Sequence, residues 1–535
     1  MKTMVACAIA CALLLSGCSK AGSGPVESGA LRIMLPINPT QLNAILEQNS
    51  NESFIDGLIY SELVTVDTHG NDVPDLAAEV PTVANGGISK DGLTLTYHLR
   101  ANAKWQDGVP VTSADVKYTW QQIMNPRNNV LSHHGYDQIA SMDTPDARTV
   151  VMHMKRLFPP AIDTIFGESD QPYRILPKHL LAQYPNLNTV PFNAAPVGSG
   201  PYRFTRWERN DRIVLTANPL YYKGVPKIKE IDLLLVPDQN TQEELLRSGG
   251  ADLALEATAS FYNNIANDPN VTRQLVPAPV WAATLFNVKR APLDDPAVRH
   301  ALALAIDKNA IVDKSTYGTA TLAVADLTPF SWAFPTGLRG IPHDEGRAKS
   351  LLDNDGWKIG PDGIRTKNGA RLSLQLAFGL GSQSVRNIAA QLQQNLRAVG
   401  VDLQLRGYEY QLLYGSLETG GIFNSGKFDI ALYSWVSGSD PDDSSQWLCA
   451  MAPPVGNNVA HYCSAAMDTA QSKALSTFDR PARKAAYRTI QELLLSEVPA
   501  VFIYDQQLRY AYITGLKNFT PNGISEGWNA YEWNR

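Results

Sequence analysis

A mixed α/β fold spread over more than one domain is what this chain predicts, on three observations. Its 535 residues are too many for a single hydrophobic core. Period-two apolar runs alternate with segments whose apolar residues recur every three or four positions, so strands and helices interleave along the sequence. No internal repeat interrupts that alternation. With 44% hydrophobic and 18% charged residues, the composition excludes a disordered or fibrous chain.

The elements follow in order. Asp91-Gly92 is a turn, and Leu93, Leu95, Tyr97 and Leu99 then alternate as a half-buried strand. Thr112 opens a helix, with Asp115 completing a capping box ahead of Val116, Trp120 and Ile123. A composition shift at Val276-Pro277-Ala278-Pro279, before the apolar run Trp281 to Val288, marks a hinge crossing between domains. Asp295 and Pro296 form a cap and first turn for a helix through Val298, Leu302 and Ile306. Val385, Ile388, Ala389, Leu392, Leu396 and Val399 predict a helix that Gly400 ends, and Val401, Leu403 and Leu405 alternate as a strand. Strands are expected at Phe428 to Tyr433 and Val498 to Tyr504, the second preceded by a long helix from about Ala482 to Glu497.

The N-terminus carries an address. Lys2 and the apolar run Met4 to Leu15 are too short for a membrane span and have the form of a secretory signal peptide. Ending in Leu15-Ser16-Gly17-Cys18, the segment resembles a bacterial lipoprotein signal. That resemblance implies cleavage after residue 17, lipid on Cys18, and a small polar tether over residues 18–30. Cys7 and Cys11 leave with the signal, so Cys449 and Cys463 remain as one expected disulfide in an oxidising compartment. Zinc ligation is the rival for this pair, and no second Cys or His pair stands at zinc spacing.

Several motifs fail. Gly421 to Lys427 fits seven positions of a phosphate-binding loop, but Phe428 replaces the Ser or Thr that would reach Mg²⁺, and a strand follows where a helix should. His133-His134 reads as solvated surface. Asp440, Asp442 and Asp443 could serve as paired catalytic carboxylates, yet Asp-Pro-Asp-Asp before Ser-Ser reads better as a turn and helix cap. The formal charge of −6 comes with no basic stripe, which argues against nucleic acid. No catalytic set, cofactor or metal site is expected.

The stretch Asp91 to Arg100, then Lys104-Trp105-Gln106-Asp107-Gly108, then Val111 to Val116, resembles the signature of family 5 extracellular solute-binding proteins. This is the dipeptide, oligopeptide and nickel-binding group that serves ABC importers. Pro74 to Ala77, Pro196 to Tyr202, Tyr221 to Lys227, Pro292 to Lys308, Phe428-Asp429, Trp435 and Asp440-Pro441-Asp442 continue the likeness in order. The resemblance implies a two-lobe periplasmic-binding-protein-like fold of the class II type, with an extra subdomain inserted in the first lobe. Lobe one would comprise residues 31–56, 191–279 and 498–535, the insertion 57–190, and lobe two 280–497.

It further implies a solute held in the cleft between hinged lobes. Dipeptide binders pair the peptide amine with a carboxylate and its carboxylate with an Arg. By alignment those positions are Gly438 and Gly379 here, so both charge anchors are missing. Tyr408-Glu409-Tyr410 does resemble a Tyr-Glu-Trp stretch whose last ring packs on the ligand. The expected cleft residues are therefore Tyr410, Trp435 and Asp440, with Asn38, Gln41 and their neighbours to Asn43 on the opposite wall. The expected role is a monomeric receptor, lipid-anchored in the cell envelope, that delivers a peptide or peptide-like solute to ABC permease subunits. A metal chelate, an opine or a short saccharide is the alternative solute. An envelope hydrolase using Asp440, Asp442 and Asp443 is the alternative class.

Overall fold

The computed structural model describes residues 29–169 and 171–535. The expected signal peptide, the lipid site at Cys18 and the tether up to residue 28 lie outside the described residues.

Two long antiparallel strands, Val271–Phe286 and Ala500–Ile513, form the spine of an eleven-stranded sheet. At one end of the spine, Leu253–Ala254 pairs with Tyr512 and Ala511, then with Ala30–Leu35. That half continues through Glu230–Leu235, Arg212–Ala217 and Tyr202–Glu208. At the other end Ile430–Val436 pairs with Val280 to Phe286 and leads to Ser373–Gly379 and Asp402–Tyr408. Each half holds parallel pairs, which need helical crossovers and so account for the alternating sequence pattern.

The shift at Val276 to Pro279 lies inside a single continuous strand. Its ladder skips between Pro277 and Trp281, because the prolines there have no N–H to donate. The last strand is longer than the apolar run predicts. Its second half, Gln507 to Ile513, pairs with Val271 to Pro277 and buries Tyr510 and Ala511.

Local predictions map closely onto the helices. Asp115 accepts the Thr112 backbone N–H at 2.8 Å and starts Ser113–Ile123. Asp295 caps Pro296–Ala305 through the Ala297 N–H at 2.8 Å. Gln383–Ala398 buries Ile388, Ala389, Leu392 and Leu396, and the chain leaves it through Gly400 at φ 87°. The long helix spans Arg480–Glu497. Cys449 and Cys463 are joined as a disulfide.

Leu31, Ile231 and Trp533 share one apolar core with Leu95, Trp105 and Val150, so much of 57–190 packs directly onto the first half of the sheet. The Gly198 loop locks that junction: a Cβ on Gly198 would stand 1.9 Å from the Ile59 carbonyl oxygen. Two further cores, one around Leu302 and Leu392 and one around Trp281 and Tyr487, sandwich the other half. Among the described residues no helix is long and apolar enough to cross a membrane.

Candidate functional site

Segments far apart in sequence enclose two cavities of about 320 Å³ each. The first lies between Glu47 to Phe54, Gln171 to Arg174 and Gly523 to Glu526 on one side and Pro279, Val280 and Val436 on the other. The second lies between Pro160 to Thr164 and the run Trp435 to Ser445. Ser169, Val436 and Ser437 line both, so they are two parts of one cleft. Strand Ile430–Val436 ends at this cleft, which places the loop after it, Ser437 to Asp443, along one wall.

That loop reaches across. The Ser439 hydroxyl lies 2.8 Å from Asp163 Oδ1 and 2.6 Å from the Glu168 carbonyl oxygen, and the Ser439 N–H donates to the same carbonyl at 3.2 Å. Nearby, Arg480 at the start of the long helix pairs with Asp72 at 2.6 Å. Polar contacts thus tie the two walls together at the mouth of the second cavity.

The site is rich in carboxylates. Burial, with the charges of Asp72 and Asp440, raises Asp163 well above the usual carboxylate range. Burial and the neighbouring Asp440 raise Asp442. Burial pushes Glu47 up to about 7 against the pull of Arg174. Glu526 is partly exposed as a residue, yet burial of its carboxyl and the charge of Glu256 push it up to about 7. Among the described residues Arg174 is the one Arg or Lys lining either cavity. It is already held by Glu47 at 2.9 Å and Glu62 at 3.1 Å.

Of the residues expected at the cleft, Trp435 and Asp440 line the second cavity. Trp435 stacks on Tyr433, with ring centroids 6.4 Å apart. Both oxygens of Asp440 are taken by Arg483 at 2.7 Å, which makes it part of a buried ion pair. Tyr410 is 52% exposed and lines neither cavity. Its ring stacks on Tyr414 and packs over Gly379, where a Cβ would come within 3.0 Å of it. Gln41 borders a neighbouring groove that meets the first cavity at Gln48 and Leu131. Asn38 lies away from the cleft and donates to Asn210 at 2.8 Å.

The acidic triplet behaves as a turn rather than a cap. Asp440 accepts the Asp442 N–H and Asp442 the Ser444 N–H, each at 3.0 Å, while Asp443, at the N-cap position of the short helix Ser444–Trp447, makes no capping bond and accepts from Gln471 at 2.5 Å. Gly421 to Lys427 is a run of turns, and His133 and His134 are exposed. Among the described residues no group of three metal-ligating side chains forms. Glu47, Asp163, Arg174 and Glu526 escaped sequence reasoning. Only Arg174 carried a signal, a lone charge in the apolar run Tyr173 to Leu176 that requires a buried partner.

The chain is similar to known proteins over nearly its whole length. Residues 73–454 match the family described as bacterial extracellular solute-binding proteins, family 5. Protein XP55 of Streptomyces lividans is 29% identical over 93% of this chain and 88% of its own. The oligopeptide-binding protein AppA of Bacillus subtilis is 25% identical over 98% of this chain and 96% of its own. The crystal structure of NikZ from Campylobacter jejuni in complex with Ni(L-His) superposes with a TM-score of 0.74 at 27% identity, covering 95% of this chain and 99% of that one. A two-lobe sheet joined by a long double strand, a ligand-sized cleft between its walls and a match over most of the sequence agree: this chain belongs to family 5 of the bacterial extracellular solute-binding proteins.

Proposed function

We propose that the protein captures a peptide or peptide-like solute in this cleft and delivers it to the permease subunits of an ABC importer. The observation that carries the reading is the cleft itself. Two adjoining cavities of about 320 Å³ each lie within the size range of small-ligand sites. Their walls come from chain segments that a hinge at the double strand can separate. The relative AppA is named for oligopeptide binding, which supports a peptide as the solute.

In this reading residues 31–56, 191–279 and 498–535 act as lobe one, 57–190 as its insertion and 280–497 as lobe two. Trp435 offers an aromatic face to the solute. Residues 1–17 are removed as a signal peptide and lipid on Cys18 tethers a monomeric receptor, which raises its effective concentration beside the permease.

The NikZ complex holds nickel and histidine, which keeps a metal chelate, with an opine or a short saccharide, as the second reading. Mass spectrometry of whatever co-purifies with a chain starting at residue 19 decides between them. A length-graded peptide panel at 100 times Kd should stabilise the fold by about 2.7 kcal/mol. If no peptide shifts the melting temperature and a chelate or opine co-purifies, the peptide assignment fails and the receptor role stands.

A further inference from the structure

We infer that the solute taken by this cleft is cationic, a peptide rich in Lys or Arg, because its walls present carboxylates without free cations to match them. The inference rests on the cleft being the solute site and names the solute's charge.

On the first cavity the charged groups are Glu47, Glu526 and Arg174, and on the second Asp163, Asp440 and Asp442, with the imidazole of His134 beside them. Asp440 is neutralised by Arg483, and Arg480, whose charge acts on Asp163, is paired with Asp72. Glu526 receives the Tyr510 hydroxyl at 3.3 Å and a backbone N–H, with no cation among its hydrogen-bond partners. Arg480 and Arg483 act on Asp163 and Asp442 only from a distance, so among the described residues Asp163, Asp442 and Glu526 face the cavities without an ion pair of their own.

Arg174 cannot take a solute carboxylate in exchange. Besides its bonds to Glu47 and Glu62, it borders a third cavity of about 30 Å³ that shares Arg174 and Ser525 with the first. There the second carboxylate oxygens of Glu62 and Glu168 are buried and have no hydrogen-bond partner. One guanidinium thus serves more acids than it can saturate, and turning it toward a ligand anion would strip charge pairing from a buried cluster.

At pH 8, above the value of about 7 to which Glu526 is raised, an anionic solute would add like charge to this wall and be repelled. A cation does the opposite. It restores the ionised form of carboxyls that burial has pushed up, Glu526 among them.

The test is isothermal titration at pH 8 with four probes: amidated trilysine, amidated trialanine, triglutamate and 1,5-diaminopentane. Trilysine is expected to bind at least tenfold tighter than trialanine, with no measurable heat from triglutamate. Glu526→Gln and Asp442→Asn should each weaken trilysine about tenfold, and weaken trialanine much less. Equal or tighter binding of trialanine or triglutamate overturns the inference and leaves the peptide receptor standing. Binding of the diamine with silence from every peptide does the reverse: the charge assignment holds and the peptide reading falls. Silence from all four overturns the inference.

Discussion

Arg483 grips Asp440 with both arms of its guanidinium, Nη1 to Oδ2 and Nη2 to Oδ1 each at 2.7 Å, with both side chains almost fully buried. The carboxylate expected as a ligand contact is already paired with the long helix Arg480–Glu497. Asp440→Asn should leave the Arg483 charge buried and uncompensated, at a cost of about 3–5 kcal/mol. Urea denaturation checks this, and an unchanged midpoint would refute the structural role.

Ser439 links the walls of the cleft through Asp163 and the Glu168 carbonyl. A hydroxyl has one proton to donate, so Ser439→Ala removes one good hydrogen bond at a time, worth about 1 kcal/mol. If that bond forms on closure, solute affinity should fall about fivefold while the ligand-free melting temperature moves little. Titration calorimetry beside thermal unfolding separates the two effects.

The Cys449–Cys463 bridge spans a sequence separation of 14. Restricting a loop of that length in the unfolded chain stabilises the fold by about 3 kcal/mol on the chain-entropy account. The double variant Cys449→Ser, Cys463→Ser should lose about that much, and dithiothreitol should lower the unfolding midpoint of the parent protein but not of the variant.

Glu526 makes stability depend on pH. Burial and Glu256 raise its carboxyl from 4.5 to about 7, so the folded protein holds a proton there that the unfolded chain has released. Stability from this group is present below pH 4.5 and is lost as pH rises through 7. Glu526→Gln keeps the neutral form at every pH. It should therefore be more stable than the parent at pH 8 by on the order of 2 kcal/mol, after discounting for partial exposure. The difference should shrink toward pH 5 in paired thermal melts, and a gap that widens on acidification would sink the argument.

Much of this protein was legible in its sequence. Capping residues Thr112 with Asp115 and Asp295 with Pro296 fixed helix starts, because caps act over three or four residues. Leu95 and Tyr97, or Leu403 and Leu405, marked strands because alternation is a property of the strand itself. The family motifs then implied the two-lobe fold. What the sequence could not decide was which charges would meet. Asp440 became half of an ion pair only when the long helix brought Arg483, 43 positions later, against it. Tyr410 turned onto Gly379, a neighbour supplied by the parallel pairing of Ser373–Gly379 with Asp402–Tyr408. Glu47, Asp163 and Glu526, from three distant segments, came to face one cleft. Sequence determined the elements and their class, since those depend on neighbours along the chain. The charge of the cleft was decided by tertiary structure, since electrostatic pairing depends on distance in space and on the water that folding removes.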